Sequence, residues 1–299
     1  MPKIKTFLRP VAMAGLLFLL VAAPTATRGA EKNSNFILEL THQIFKRTEA
    51  PGAAKRRVTG ELPYSRNRKF LELLSGENIE FTALPTKPEW EEKLIPIRIP
   101  IRKGLQGYRL FFINRQDQNM LSKVSTLEDL KKLPTGSGSQ WSTTASLEAA
   151  GFTVMTAPGN DELFKMLGLR RFITFSRGID EIYFEHAQWV TEYPFLAVEQ
   201  EIALFFPHPI YYFVTPKRPD LAERIERGLR GMISDGSFDR LFLKYYSDDI
   251  ARARLDKRTV ISIPNPLLGP QTPLDDPSLW LNSSHIFGAK ADEGTVLIR

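Results

Sequence analysis

Between Leu133 and Gly151 the chain reads LPTGSGSQWSTTASLEAAG, the stretch whose residue types come nearest to a binding site. Gly136, Ser137, Gly138, Ser139, Gln140 and Trp141 read as a glycine-punctuated loop; Ser142, Thr143 or Thr144 then opens a helix that stops near Gly151. A Ser or Thr hydroxyl caps a helix by accepting an otherwise orphan backbone N–H, and Gly ends one by tolerating positive φ. Bare N–H groups and hydroxyls at the positive end of a helix dipole suit a carboxylate or another small anion. Trp141 offers an indole that either stacks on a ligand or fixes two lobes together. Arg177, just before Gly178, either presents its guanidinium to an anion or pairs with Asp180 or Glu181. Tyr108 and Arg109 end an apolar strand, where alternation turns one inward and the other toward a cleft.

Catalytic constellations do not emerge. Glu181 and Glu185 share a helical face at i and i+4, but His42, His186, His208 and His285 are isolated and no HExxH occurs, so the pair reads as an exposed acidic face rather than a metal or acid–base site. There is no G-x-S-x-G elbow and no P-loop, and Trp141 stands in place of the third glycine of a dinucleotide loop. The expectation is a binding protein, not an enzyme, with no cofactor and no metal.

The elements that must position these residues begin after an export signal. Lys3, Lys5 and Arg9 precede an apolar run of 13 residues from Val11 to Ala23 and small residues up to Ala30, the pattern of a cleaved secretory peptide over residues 1–30. Its loss removes Lys3, Lys5, Arg9 and Arg28 and leaves 36 basic against 34 acidic residues, so the net charge falls from +6 to +2 and no nucleic-acid footprint remains. No later stretch reaches the roughly 20 apolar residues of a membrane span. The chain holds no cysteine, which excludes disulfides and a lipoprotein anchor.

Phe36, Leu40 and Ile44 recur at helical spacing and predict a helix over 35–47, with no strand before it. A strand is expected at Arg57–Leu62, a helix at Tyr64–Leu74, and strands at Ile79–Ala83, Pro96–Ile101 and Gly107–Asn114. Ser125 and Glu128 read as a capping box. Further strands are expected at Phe152–Met155, Phe172–Phe175, Phe195–Val198, Ile202–Phe206 and Tyr211–Thr215, with helices between them. A helix begun by Pro219 and one capped by Ser237 follow. This alternation predicts an α/β layer architecture. Residues 31–114 and 207–255 form one lobe, residues 115–206 a second, and the proline-rich 256–299 an extended arm.

Four segments carry a family resemblance. TKPEWEEKLIPIRIPI at 86–101, STLEDLKKL at 125–133, GSGSQWSTT at 136–144 and DGSFDRLFLKYY at 235–246 resemble, in that order, segments of the type 2 periplasmic solute-binding proteins, particularly the amino-acid-binding family 3. A closer likeness is to a branch of exported bacterial proteins with a GLxGYR segment, a GxGxxW loop and an NP-x-L…TPL…LW tail, here Gly104–Arg109, Gly136–Trp141 and Asn265–Trp280. The resemblance implies a two-lobed fold, each lobe a mixed sheet flanked by helices, with the first lobe lacking its first strand. It also implies a monomeric periplasmic protein that closes on a small polar or anionic solute for uptake or sensing, serving an inner-membrane transporter such as an ABC system, or a sensor. Trp90 stands where amino-acid binders place the Arg that holds the α-carboxylate, and RRFITFSRG at 170–178 stands where they hold the ammonium. The implied site therefore draws on Gly136, Ser137, Gly138, Gln140, Trp141, Ser142, Thr143, Thr144, Trp90, Tyr108 and Arg177, and an ordinary α-amino acid does not fit it. The alternative is a degenerate binding fold that works as an envelope protein-interaction module without a small ligand.

Overall fold

The computed structural model describes residues 26–49 and 64–281. Residues 1–25 of the expected signal segment and the expected strand at Arg57–Leu62 lie outside them. The fold is mixed α/β: two sheets, each flanked by helices, as expected. Helix α1, Ala26–Arg47, starts nine residues before the predicted helix and buries Phe36, Leu40 and Ile44 completely. Helix α2, Arg66–Ser75, is capped by Ser65, whose Oγ accepts the Arg68 N–H at 3.3 Å, and stops at Gly76 with φ +60°. Strand β1, Phe81–Pro85, helix α3, Pro88–Lys93, and strand β2, Ile95–Ile97, follow.

The chain then crosses to a larger sheet through strand β3, Tyr108–Asn114. Short helices α4, Gln118–Leu121, and α5, Leu127–Lys131, lead to strand β4, Thr135–Gly138, and helix α6, Ser142–Ala149. Next come β5, Val154–Ala157; α7, Asn160–Gly168; β6, Thr174–Gly178; α8, Ile182–Trp189; β7, Leu196–Val198; and β8, Ile202–Phe205. Strand β9, Ile210–Val214, returns to the first sheet, followed by helices α9, Pro219–Ser234, and α10, Ser237–Ala253, and strand β10, Thr259–Ser262. The smaller sheet has the order β1-β9-β2, antiparallel throughout. The larger runs β10-β8-β3-β6-β4-β5 with β7 also on β3, and mixes parallel with antiparallel pairs.

Several sequence expectations need correction. β3, expected in the first lobe, belongs to the larger sheet. All seven of its residues are buried, so it needs partners along both edges, and β9 is already flanked by β1 and β2. The expected glycine loop is strand β4: Gly136 lies under the Phe172 ring and Gly138 under Trp141, where any Cβ would collide, so these glycines serve close approach instead of a turn. Helix α5 is capped one residue later than the sequence suggests, by Thr126 with Asp129, and Gly236 with φ +71°, not Ser237, precedes α10.

The tail is more than an arm. Thr259–Ser262 adds β10 to the open edge of β8, parallel to it. Beyond it Asn265 donates to the Pro207 carbonyl at 2.8 Å and meets Ser146 Oγ at 3.2 Å. Trp280 packs on Gly104, whose φ of +66° and crowded Cα both require glycine, and the Leu281 N–H donates to the Lys103 carbonyl at 2.8 Å. Buried Lys103 in turn reaches the Ser278 carbonyl at 2.7 Å and Asp239 at 2.9 Å. Trp280→Ala empties this contact and is expected to lower stability by about 3–5 kcal/mol in urea unfolding; an unchanged midpoint would make the tail a passive covering.

Candidate functional site

A cleft of about 200 Å³ opens where the two sheets meet, lined by Arg66, Gln106, Arg109, Trp141, Ser142, Thr143, Asn160, Arg177, Glu181 and His208. Each comes from the end of an element. Arg66 opens α2, Arg109 follows the first residue of β3, and Arg177 precedes the end of β6. Ser142 and Thr143 open α6, and His208 sits on the connection from β8 back to β9. The first N–H groups of α6 have no intrahelical acceptor.

Alternation along β3 decides between its first two residues. Tyr108 turns inward, with its ring 4.4 Å from that of Phe205 and its hydroxyl on the Leu281 carbonyl at 3.3 Å. Arg109 turns to the cleft and is 6% exposed. Its Nη1 donates to the Gln106 carbonyl at 3.3 Å and its Nη2 to the Ser176 carbonyl at 3.1 Å, while its Nε is buried without a partner. Burial pushes its pKa down to about 10, with Glu181 opposing and Arg177 reinforcing the effect, so it stays charged at neutral pH.

Arg177 is held differently. Its Nε donates to Glu185 at 2.6 Å, its Nη2 also reaches Glu185, and Glu181 lies 3.3 Å from Nη2. Burial disfavours its charge, but Glu181 and Glu185 more than offset this and raise its pKa. The guanidinium lies 4.6 Å over the Trp141 ring, which also stacks with Phe175 at 5.9 Å. The expected exposed acidic face at Glu181 and Glu185 is therefore an arginine clamp. Asp180 is not Arg177's partner: it is completely buried and bonded to Arg102.

His208 is half-buried beside these cations. Burial first, and then Arg109, Arg66 and Arg102, push its pKa down to about 3. The imidazole in the cleft is consequently neutral at physiological pH.

Of the residues expected in a site, Trp141, Ser142, Thr143 and Arg177 line this cleft together. The others do not. Gly136, Ser137 and Gly138 are buried in β4, and Thr144 turns back to donate to the Gly138 carbonyl at 2.8 Å, with Ser137 Oγ also at 2.8 Å. Gln140 is exposed on the turn away from the cleft lining. Trp90 is 2% exposed in the core of the smaller unit, stacked on Phe70 at 5.7 Å, because its helix turns inward there. Sequence reasoning missed Arg66, Gln106 and Asn160, which carry no local signal. It named His208 only as an isolated imidazole, although the bracketing Pro207 and Pro209 mark a constrained connection. No set of three or more His, Cys, Asp or Glu side chains among the described residues could hold a metal ion.

No family model matches the sequence, and no curated protein does. Among solved structures the chain is similar to an ancestral arginine-binding protein bound to arginine, at 18% identity and a TM-score of 0.45 over 71% of this chain and 87% of that one. It is also similar to a periplasmic His/Glu/Gln/Arg/opine family-binding protein from Silicibacter pomeroyi in complex with lysine, at 12% identity and a TM-score of 0.45 over 71% and 86%. A third is a histidine kinase sensor domain with similarity to periplasmic binding proteins, at 14% identity and a TM-score of 0.45 over 70% and 85%. At these values the site stands on this chain's own topology and side chains. No helix among the described residues is long and apolar enough to cross a membrane.

The imidazole sets a pH signature. Above 6.5 it is neutral in folded and unfolded chains alike; below 6.5 the unfolded chain binds a proton that the folded chain refuses until about pH 3, so stability falls as pH drops through that window. His208→Gln is expected to flatten this decline in denaturant midpoints measured below pH 6.5, and parallel slopes for the two proteins would show that the ring is not held neutral.

Proposed function

We propose that this chain is a periplasmic solute-binding protein that holds a small anion in the cleft between its two sheets, for uptake or sensing through an inner-membrane transporter or sensor. It performs no chemistry on the ligand. One observation carries the reading: Arg66, Arg109 and Arg177 bring three guanidinium groups to the cleft lining against the single lining carboxylate of Glu181. Guanidinium groups that outnumber the carboxylates around them favour an anion, whose oxygens accept charge-assisted hydrogen bonds from them. Arg66, in the lining with no ion pair of its own among the described residues, and the hydroxyls of Ser142 and Thr143 at the start of α6 supply further donors. The volume of about 200 Å³ lies below the roughly 300–1,000 Å³ of drug-sized sites, which suits a solute of few atoms.

A thermal-shift screen of small carboxylates and inorganic anions tests the proposal. A ligand is expected to raise the melting temperature in proportion to the logarithm of its concentration. Arg66→Ala should weaken that ligand by the value of one charge-assisted hydrogen bond, about 1.5–3 kcal/mol, without unfolding the protein. A purified protein inert to every anion would overturn the reading.

A further inference from the structure

Resting on the anion-binding reading of the cleft, we infer that its ligand is a small hydroxy- or oxo-carboxylate that carries no ammonium group. The cleft lining holds three guanidinium groups and one carboxylate. Glu181 is the lone acid in the lining, and its Oε2 already accepts the Gly178 N–H at 3.1 Å and faces Arg177 at 3.3 Å and Arg109 at 3.9 Å. Glu185 is committed to Arg177 through both carboxylate oxygens. Asp180, next in sequence to Glu181, is completely buried and outside the lining, with its Oδ2 engaged by Arg102 and by Asn33 at 3.3 Å.

The charge balance points the same way. Arg66, Arg109 and Arg177 face Glu181 and Glu185, and His208 is neutral, so the cleft and its direct ion-pair partners keep one uncompensated positive charge. A carboxylate neutralises it. A zwitterionic amino acid leaves it in place and adds an ammonium among three guanidinium groups. An aromatic face cannot take that ammonium either, since the Trp141 ring is already covered by Arg177 and stacked on Phe175. The remaining lining groups, Gln106, Asn160, His208, Ser142 and Thr143, are uncharged donors and acceptors matched to a hydroxyl or carbonyl oxygen.

Matched pairs separate the classes. Lactate and pyruvate are compared with L-alanine, and malate with L-aspartate, by isothermal titration of the purified protein. The acid lacking the ammonium should bind about tenfold tighter or more, the penalty for an unpaired charged donor in the cleft. Equal or tighter binding of the amino acids overturns this inference and leaves a solute-binding role standing. Binding of phosphate or sulfate alone overturns it and keeps the anion site. Silence from all of them removes both. Gln106→Glu adds an acceptor to the lining and should move the preference toward the amino acid, with near-UV circular dichroism checking the fold; a folded variant whose preference is unmoved also counts against the inference, and if the variant does not fold the wild-type pairs decide alone.

Discussion

A guanidinium cannot be left in a protein interior without acceptors, and this chain buries three of them side by side: the side chains of Arg102, Arg109 and Arg177 are 3%, 7% and 11% exposed. Much of the surrounding structure is arranged to satisfy them. Asp180 and Glu181 leave the end of β6 in succession, one toward Arg102 and one toward Arg109 and Arg177, and Glu185 completes the second group from α8. A Cβ at Gly178 would press on the carboxylates of Asp180 and Glu181, so a larger residue there would displace them. The same network reaches α1, where Asn33 donates to Asp180 and accepts from Tyr246 at 2.9 Å, while Lys32 pairs with Asp249. Helices at opposite ends of the chain are thereby tied to the floor of the cleft.

This arrangement separates two kinds of arginine. Arg102 and Arg177 have carboxylates of their own, Asp180 and Glu185, and their charges are balanced within the fold. Arg109 receives only two backbone carbonyls and a distant Glu181. Low dielectric strengthens any contact it does make. The neighbouring imidazole adds no charge to that field, because the arginines themselves keep it neutral.

What the sequence discloses follows from range. Phe36, Leu40 and Ile44 announce α1 because period alone determines which face is buried, and Pro219 and Gly236 bracket α9 for equally local reasons. β4 was illegible because glycines required by the rings of Phe172 and Trp141 look the same in sequence as glycines required by a turn. Nearness in sequence offered Glu181 as a partner of Arg177, as the structure has it, but spacing could not say that Glu185, one turn further on, holds the same guanidinium. Arg66, Gln106 and Asn160 were out of reach for the same reason: Arg66 and His208, for example, are far apart in sequence and meet only through tertiary packing.

The tail changes what the two sheets can do to each other. The chain passes between them three times, through Arg98–Gly107, through Phe206–Pro209 and through the segment that carries α9 and α10, and the tail fastens the first with Trp280 and Leu281 and the second with Asn265. Relative rotation of the sheets would twist all three crossings and strain the contacts that the tail makes with the first two. A chain ending before Asn265 would keep every residue of the cleft lining while losing the contacts that tie the two short crossings to one segment.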